Sequence, residues 1–263
     1  MIALSDTDRT GYARAAKVRE ISTEDIRWAL AEGWADFRDK RGELIILGFI
    51  YPVAGLLAAV IAANSSLFPI LFPLVAGLAI AGPVVAVGFY EIARRRERGE
   101  DPNWLCFFEP FVGPARFAIF ALSLLLAALF TAWLIAAWAI YEATLGRLAP
   151  AGPGEFLTNL FATPEGWAMI VLGNLVGFGF AALVLAISVA SLPMALDRGG
   201  GAFEALSTSI EASRKNPKAI ALWGLLVAVV LAVAAVPLFI GLALALPVLG
   251  YATWHLYTRL VER

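Results

Sequence analysis

Two scarcities bound the chemistry of this chain before any pattern is read: it has one histidine, His255, and one cysteine, Cys106, in 263 residues. A six-coordinate haem needs two strong axial donors and a haem-copper centre several imidazoles, so the chain alone holds neither. A structural zinc or an iron-sulfur cluster fails the same count, and a lone cysteine excludes a disulfide scaffold. Charge is the third scarcity. Asp, Glu, Lys and Arg make up 16% of the residues, where a soluble domain carries about 25%. Four stretches contain none of them: Leu44 to Tyr90, Phe117 to Tyr141, Gly166 to Leu196 and Ala219 to Thr258. Every charge is therefore crowded into the connectors, which excludes a soluble globule and a disordered chain.

What is there is an all-α, polytopic membrane protein. A span needs about 20 residues at about 1.5 Å each, so the first and last blocks are each long enough to cross twice. Six transmembrane helices are expected, over residues 44–63, 67–90, 117–140, 167–192, 219–236 and 238–257. Asn64, Ser65, Ser66 and Pro69 mark the first hairpin, and Pro237 alone marks the last, so five helices with one very long one is the alternative. Of the 20 Lys and Arg residues, only Arg147 falls on one side of this arrangement. Positive residues are retained in the cytoplasm, so both termini are expected there. The polar start of the chain has no apolar signal-peptide core. Trp133, Trp138, Tyr141 and Trp167 are expected in one interfacial belt, and Trp104, Trp223, Trp254 and Tyr257 in the other.

Residues 1–21 read as a flexible cytoplasmic tail and 22–263 as a single membrane domain. Within that domain, residues 22–42 form an amphipathic helix, capped by Ser22 with Glu24 and Asp25 in its first turn. Its apolar stripe is Ile26, Ala29, Leu30, Trp34 and Phe37, and Arg27, Glu32, Asp36, Arg38 and Asp39 take the other side. Residues 203–214 form a second amphipathic helix with the stripe Phe203, Leu206 and Ile210. Both read as cytoplasmic elbows on the membrane surface. A slide of 176 residues places Leu30, Trp34, Arg38 and Leu44 over Leu206, Ile210, Arg214 and Ile220, which suggests an internal repeat of elbow plus helical hairpin.

Candidate chemistry is sparse. No charge lies within a span, which argues against a proton pump, a charged-ring channel or a voltage sensor. A His-dependent triad could use only His255, and no nucleophile elbow, Walker loop or H-E-x-x-H helix is present. Glu91, Asn174, Asp197 and His255 remain as a candidate polar site. Glu91 and Asp197 end two spans, His255 sits near the end of the last, and Asn174 lies between Gly173 and Gly177, whose spacing suits helix packing. Pro52, Pro73, Pro83 and Pro247 inside spans free backbone carbonyls that neighbours or a polar cavity must satisfy. No catalytic, cofactor-binding or metal-binding residue is assigned, and no cofactor is expected.

The runs Gly82-Pro83-Val84-Val85-Ala86-Val87-Gly88-Phe89-Tyr90-Glu91, Ser213-Arg214-Lys215-Asn216-Pro217 and Leu249-Gly250-Tyr251-Ala252-Thr253-Trp254-His255-Leu256-Tyr257 resemble a bacterial integral-membrane family, domain of unknown function 2189, from about Ile26 onward. The resemblance implies a polytopic inner-membrane protein with no established activity. Some members carry the label of putative cytochrome c oxidase subunit I, which the ligand count opposes as a catalytic statement. The expectation is a non-enzymatic accessory, scaffold or assembly component, with a place beside a respiratory complex open to it. One alternative is a carrier or binder of a lipid or small amphiphile; another is a lipid-modifying enzyme using carboxylates at the cytoplasmic face. The expected partners are the lipid bilayer and a membrane protein, with no nucleic acid.

Overall fold

The computed structural model describes residues 16–49, 53, 55–57, 60, 67–150, 152–237 and 240–263. Among them the protein is helical, with one isolated bridge between Val18 and Val261. The helices are α1 (Thr23–Gly48), α2 (Leu71–Glu97), α3 (Arg116–Ala143), α4 (Pro153–Ala162), α5 (Pro164–Arg198), α6 (Ala202–Lys215), α7 (Pro217–Ala235) and α8 (Leu242–Leu260). Among the described residues, four stretches are long and apolar enough to cross a membrane: Phe68–Glu97, Arg116–Ala143, Pro164–Arg198 and Pro217–Ala235. The expected span over 44–63 falls largely outside the described residues, as does Pro52. The last apolar block is two helices, broken between Ala235 and Leu242.

Among the described residues the core runs along α3 through Ile119, Leu122, Leu126 and Trp133 but is not evenly spread. It is concentrated at one end, where the ends of α2, α5 and α8 meet α1 and α6. On α5, every residue from Ile187 to Leu196 is buried, whereas most of the side chains before it are at least partly exposed. On α8 most residues from Leu249 to Leu260 are buried, while Arg259 is exposed. The opposite end is a smaller assembly, in which Phe68, Tyr141 and Phe156 form an aromatic chain. Trp133 ties α3 to the start of α2 there, its indole N–H donating to the Pro73 carbonyl at 2.9 Å. Pro73 is in the first turn of α2, where no intrahelical bond is lost, whereas Pro83 and Pro247 lie within helices.

Burial corrects the aromatic-belt expectation. Trp223, Trp254 and Tyr257 are core residues at the charged end, not interfacial anchors. Their rings fill the core while their polar tips find partners: the Trp254 indole N–H donates to Glu97 at 3.3 Å and the Tyr257 hydroxyl to Asp197 at 3.2 Å. Trp133 is buried as well, whereas Trp104, Trp138 and Trp167 are exposed.

The two amphipathic stretches are helical but use their faces differently. On α1, Ile26, Ala29, Gly33 and Phe37 are buried, and Gly33 lies so close to Ala252 that α1 and α8 pack backbone to backbone. On α6 the packed residues are the small and polar Ala205, Thr208, Ser209 and Ala212, and Phe203 points away from the protein. Ser209 docks α6 on α5: its hydroxyl donates to the Ala186 carbonyl at 2.9 Å and accepts from the Ala190 N–H at 3.1 Å. Pro193 follows within a turn, so α5 has two disturbances of its backbone ladder close together. The helix then stops at Gly199, whose φ of 63° is the left-handed conformation that ends helices.

Residues 16–21, read as the last part of a flexible tail, are held. Val18 bridges Val261, the Arg19 N–H donates to the Leu260 carbonyl at 2.8 Å, and Glu262 N–H donates to Lys17. On the other side Asn216 accepts from the Ile21 N–H and donates to the Arg19 carbonyl, while Lys215 donates to Val18. The run Ser213 to Pro217 is thus a corner that clamps the start of the described chain, with Pro217 opening α7 at a position where its missing N–H costs nothing.

Candidate functional site

The last two turns of α2 organise the charged end. Glu91 is buried and sits three and four residues before Arg94 and Arg95, the spacing at which helical side chains meet. Arg94 donates to both of its oxygens at 2.8 and 2.9 Å and Arg95 to one at 2.7 Å; Arg95 also reaches Glu109. Arg96 points elsewhere, donating to Asp36 at 2.8 Å and Asp39 at 2.6 Å on α1. Arg94 and Arg95 therefore share Glu91, and Arg96 serves the carboxylates of α1.

Asp36 is the residue that sequence reading placed wrongly. It belongs to no solvated face: it is buried between Arg96 and His255, whose Nε2 lies 2.8 Å from its second oxygen. On the wheel of α1 it lies two turns from Ala29, at the edge of the buried stripe rather than opposite it, where Arg96 and His255 reach it. His255 is further fixed by the edge of Trp28, with ring centroids 5.6 Å apart. Trp28 in turn lies under the guanidinium of Arg259, 4.0 Å from its ring centroid.

Asp197, at the end of α5, is gripped by the last residue of the chain described. Arg263 donates to its two oxygens at 2.8 and 3.1 Å, and also to Glu97. Burial acts against the Arg263 charge, and these two carboxylates outweigh it, so its guanidinium is held above the ordinary arginine range. Nearby, the Lys17 ammonium at 3.0 Å holds the Glu262 carboxyl below the ordinary glutamate range.

Glu91, Asp197 and His255 thus gather at one end of the molecule, in adjoining ion-pair sets rather than around a shared pocket. Asn174 does not join them. It sits on an exposed part of α5, its amide donating to the Ile170 carbonyl of its own helix at 2.7 Å. Gly177 meets the Trp133 ring, whereas a side chain at Gly173 would meet nothing. The candidate four-residue site is therefore three residues, joined by Asp36, Arg94, Arg95, Arg96 and Arg263. Only the Glu91 spacing to Arg94 and Arg95 was visible locally; the Asp36 to His255 contact joins residues 219 apart.

Among the described residues, no group of three or more His, Cys, Asp and Glu side chains is placed to hold a metal ion. An open depression of about 330 Å³ lies at the tip of the charged end, between Arg19, Trp28, Glu97, Thr258, Arg259 and Arg263. Its cations already have carboxylate neighbours: Arg19 lies 3.6 Å from Glu262, Arg259 4.0 Å from Asp25 and Arg263 2.8 Å from Asp197. The arrangement neutralises charge where helix ends leave the apolar region, and fixes the angles at which those ends meet.

Long apolar helices capped by a paired charged end define the chain as a helical integral membrane protein. Its residues 71–197 match the family described as predicted integral membrane protein, domain of unknown function 2189, so the likeness read in the sequence holds over that stretch. The run Gly82 to Glu91 lies inside the match, and the runs Ser213 to Pro217 and Leu249 to Tyr257 lie beyond it. No curated protein and no solved structure is similar enough to match.

Proposed function

We propose that this protein is a non-catalytic, multi-pass component of the bacterial inner membrane that works by contact, as an accessory, scaffold or assembly subunit. The observation that carries the reading is the use made of its chemical groups. Glu91, Asp197 and His255 are each bound to charged residues of the same chain: Glu91 to arginines of its own helix, His255 to Asp36, which joins α8 and α2 to α1, and Asp197 to Arg263 beyond α8. A general acid or base needs a reachable proton and a nearby substrate space, whereas these groups are turned into the protein and hold helix ends together.

The charged end is assigned to the cytoplasm, with six crossings. Residues 18 and 261 are bridged and lie at one end, which supports an even number of crossings between them, and the connectors at that end carry nearly all the Lys and Arg. Reporter fusions in the Arg147 connector and after Arg263 should report opposite sides of the membrane.

Extraction in mild detergents, followed by affinity capture and mass spectrometry, tests the contact role. A partner membrane protein should be retained in stoichiometric amount, and recovery of this chain alone across several detergents overturns the reading. Replacing Glu91, Asp197 and His255 singly should lower stability while leaving the lipid profile of the cell unchanged; a changed profile at full protein level would favour catalysis.

A further inference from the structure

The connector between α2 and α3 contains a 3-10 helix, Trp104–Phe111, started by Asn103, whose side chain accepts from the Leu105 N–H at 2.9 Å. One face of it is fixed to the protein. Cys106, Phe107 and Pro110 are buried, with the Phe107 ring edge-on to Phe89 at 5.0 Å and packed over Gly88 of α2. The other face is apolar and open: Trp104, Leu105, Phe108, Phe111 and Val112 are all exposed, Leu105 by 54% and Val112 by 73%. The single acid in the segment, Glu109, is drawn back onto Arg95.

We propose that residues 104–112 are an in-plane membrane anchor, seated in the boundary between headgroups and hydrocarbon of the leaflet next to the charged end. The lipid is identified by continuity. The chain leads within five residues to Phe117, and with it Phe120 and Leu124 are exposed apolar residues of α3, one of four helices among the described residues able to cross the membrane. Arg116 stands at the join, its guanidinium 4.5 Å from the Phe117 ring centroid, with its apolar stem free to lie along the hydrocarbon and its charge to reach the headgroups. A short amphipathic segment rich in Trp, Phe and Leu is the composition that beds at this depth. The anchor sets how deep the charged end sits, because Phe107 couples it rigidly to the turn of α2 that precedes Glu91.

The test uses the full chain in phosphatidylcholine and phosphatidylglycerol vesicles, with single cysteines in a Cys106→Ala background labelled by a small fluorophore. Val112→Cys and Leu105→Cys probe the anchor, Leu124→Cys marks the span, and Glu24→Cys marks water. Nitroxide-bearing lipids should quench positions 105 and 112 within about twofold of position 124, and aqueous iodide several-fold less than position 24. Strong iodide quenching at 105 and 112 would place the segment in water. Weak quenching by both agents would mean that protein covers it. Either result overturns the proposal. The same labels read with the buried Cys106 left in place guard against an effect of the background substitution.

Discussion

Adding one methyl group at Gly33 should separate the two helices that close the charged end. A Cβ there would lie 2.6 Å from the backbone nitrogen of Ala252 and 2.8 Å from its Cα, against ordinary contact distances of 3.4–4 Å. Both sides of the contact are backbone, so no rotamer change relieves it, and α1 must withdraw from α8 by about 1 Å. Two effects oppose each other. Replacing glycine by alanine inside a helix gains about 1 kcal/mol of propensity. Overpacking costs about 1–3 kcal/mol, and withdrawal also stretches the buried Asp36 to His255 pair, whose full loss costs about 3 kcal/mol. The contact terms win, leaving Gly33→Ala less stable by about 2 kcal/mol, or a melting temperature lower by about 4–8 °C. Thermal unfolding followed by tryptophan fluorescence in one detergent measures it. Gly179→Ala is the control, because a Cβ at exposed Gly179 meets nothing and carries only the propensity gain. Should Gly33→Ala melt at or above the parent alongside Gly179→Ala, the close approach of α1 and α8 is wrong.

Asp36→Leu leaves Arg96 and His255 facing an apolar side chain and should cost about 3 kcal/mol, read by the same melts, while Asp39→Ala at the exposed partner should cost under about 1 kcal/mol. Asn216→Ala removes the bonds to Ile21 and Arg19 and should speed amide exchange across residues 17–21 by at least about tenfold, with α2 and α5 unaffected; unchanged exchange there would refute the clamp. Acid should loosen the same segment: the Glu262 carboxyl is lowered in the folded state, so its contribution is present above the ordinary glutamate range near about 4 and is lost as pH falls through the lowered value. In Glu262→Gln that acid-dependent step in exchange should vanish. Asn174→Leu should leave stability unchanged or slightly raised in lipid, since its amide bonds only its own helix; a large loss would show that Asn174 packs against something.

The helices were legible because hydrocarbon imposes a length and forbids charge, and both constraints leave runs that need no partner to be read. Face assignments failed where a second element decides them. The wheel of α1 is correct about Ile26, Ala29 and Phe37, yet it cannot show that Asp36 meets Arg96 and His255, because those side chains arrive from remote parts of the chain. Trp254 and Tyr257 read as interfacial by composition, and burial with Glu97 and Asp197 makes them core. Asn174 failed for the opposite reason. A polar residue among apolar ones invites an interhelical bond, but the carbonyl four residues back satisfies it locally. Glu91 was read as an end-of-span carboxylate; it is buried six residues before the end of α2, and of its surroundings only the arginines three and four positions on follow from spacing.

The pairing of α1 with α8 has a consequence for how the molecule is made. Asp36 emerges from the ribosome long before His255, which lies 219 residues later, so the first helix of the charged end waits through the synthesis of every intervening span. During that interval Ile26, Ala29 and Phe37 have no α8 to cover them, and Arg96 can find Asp36 but not the histidine that completes the set. Long-range closure of this kind is slow and exposes apolar surface on the way. The order of synthesis therefore limits assembly: the Asp36 set at the charged end is completed only once α8 is made and docks on α1.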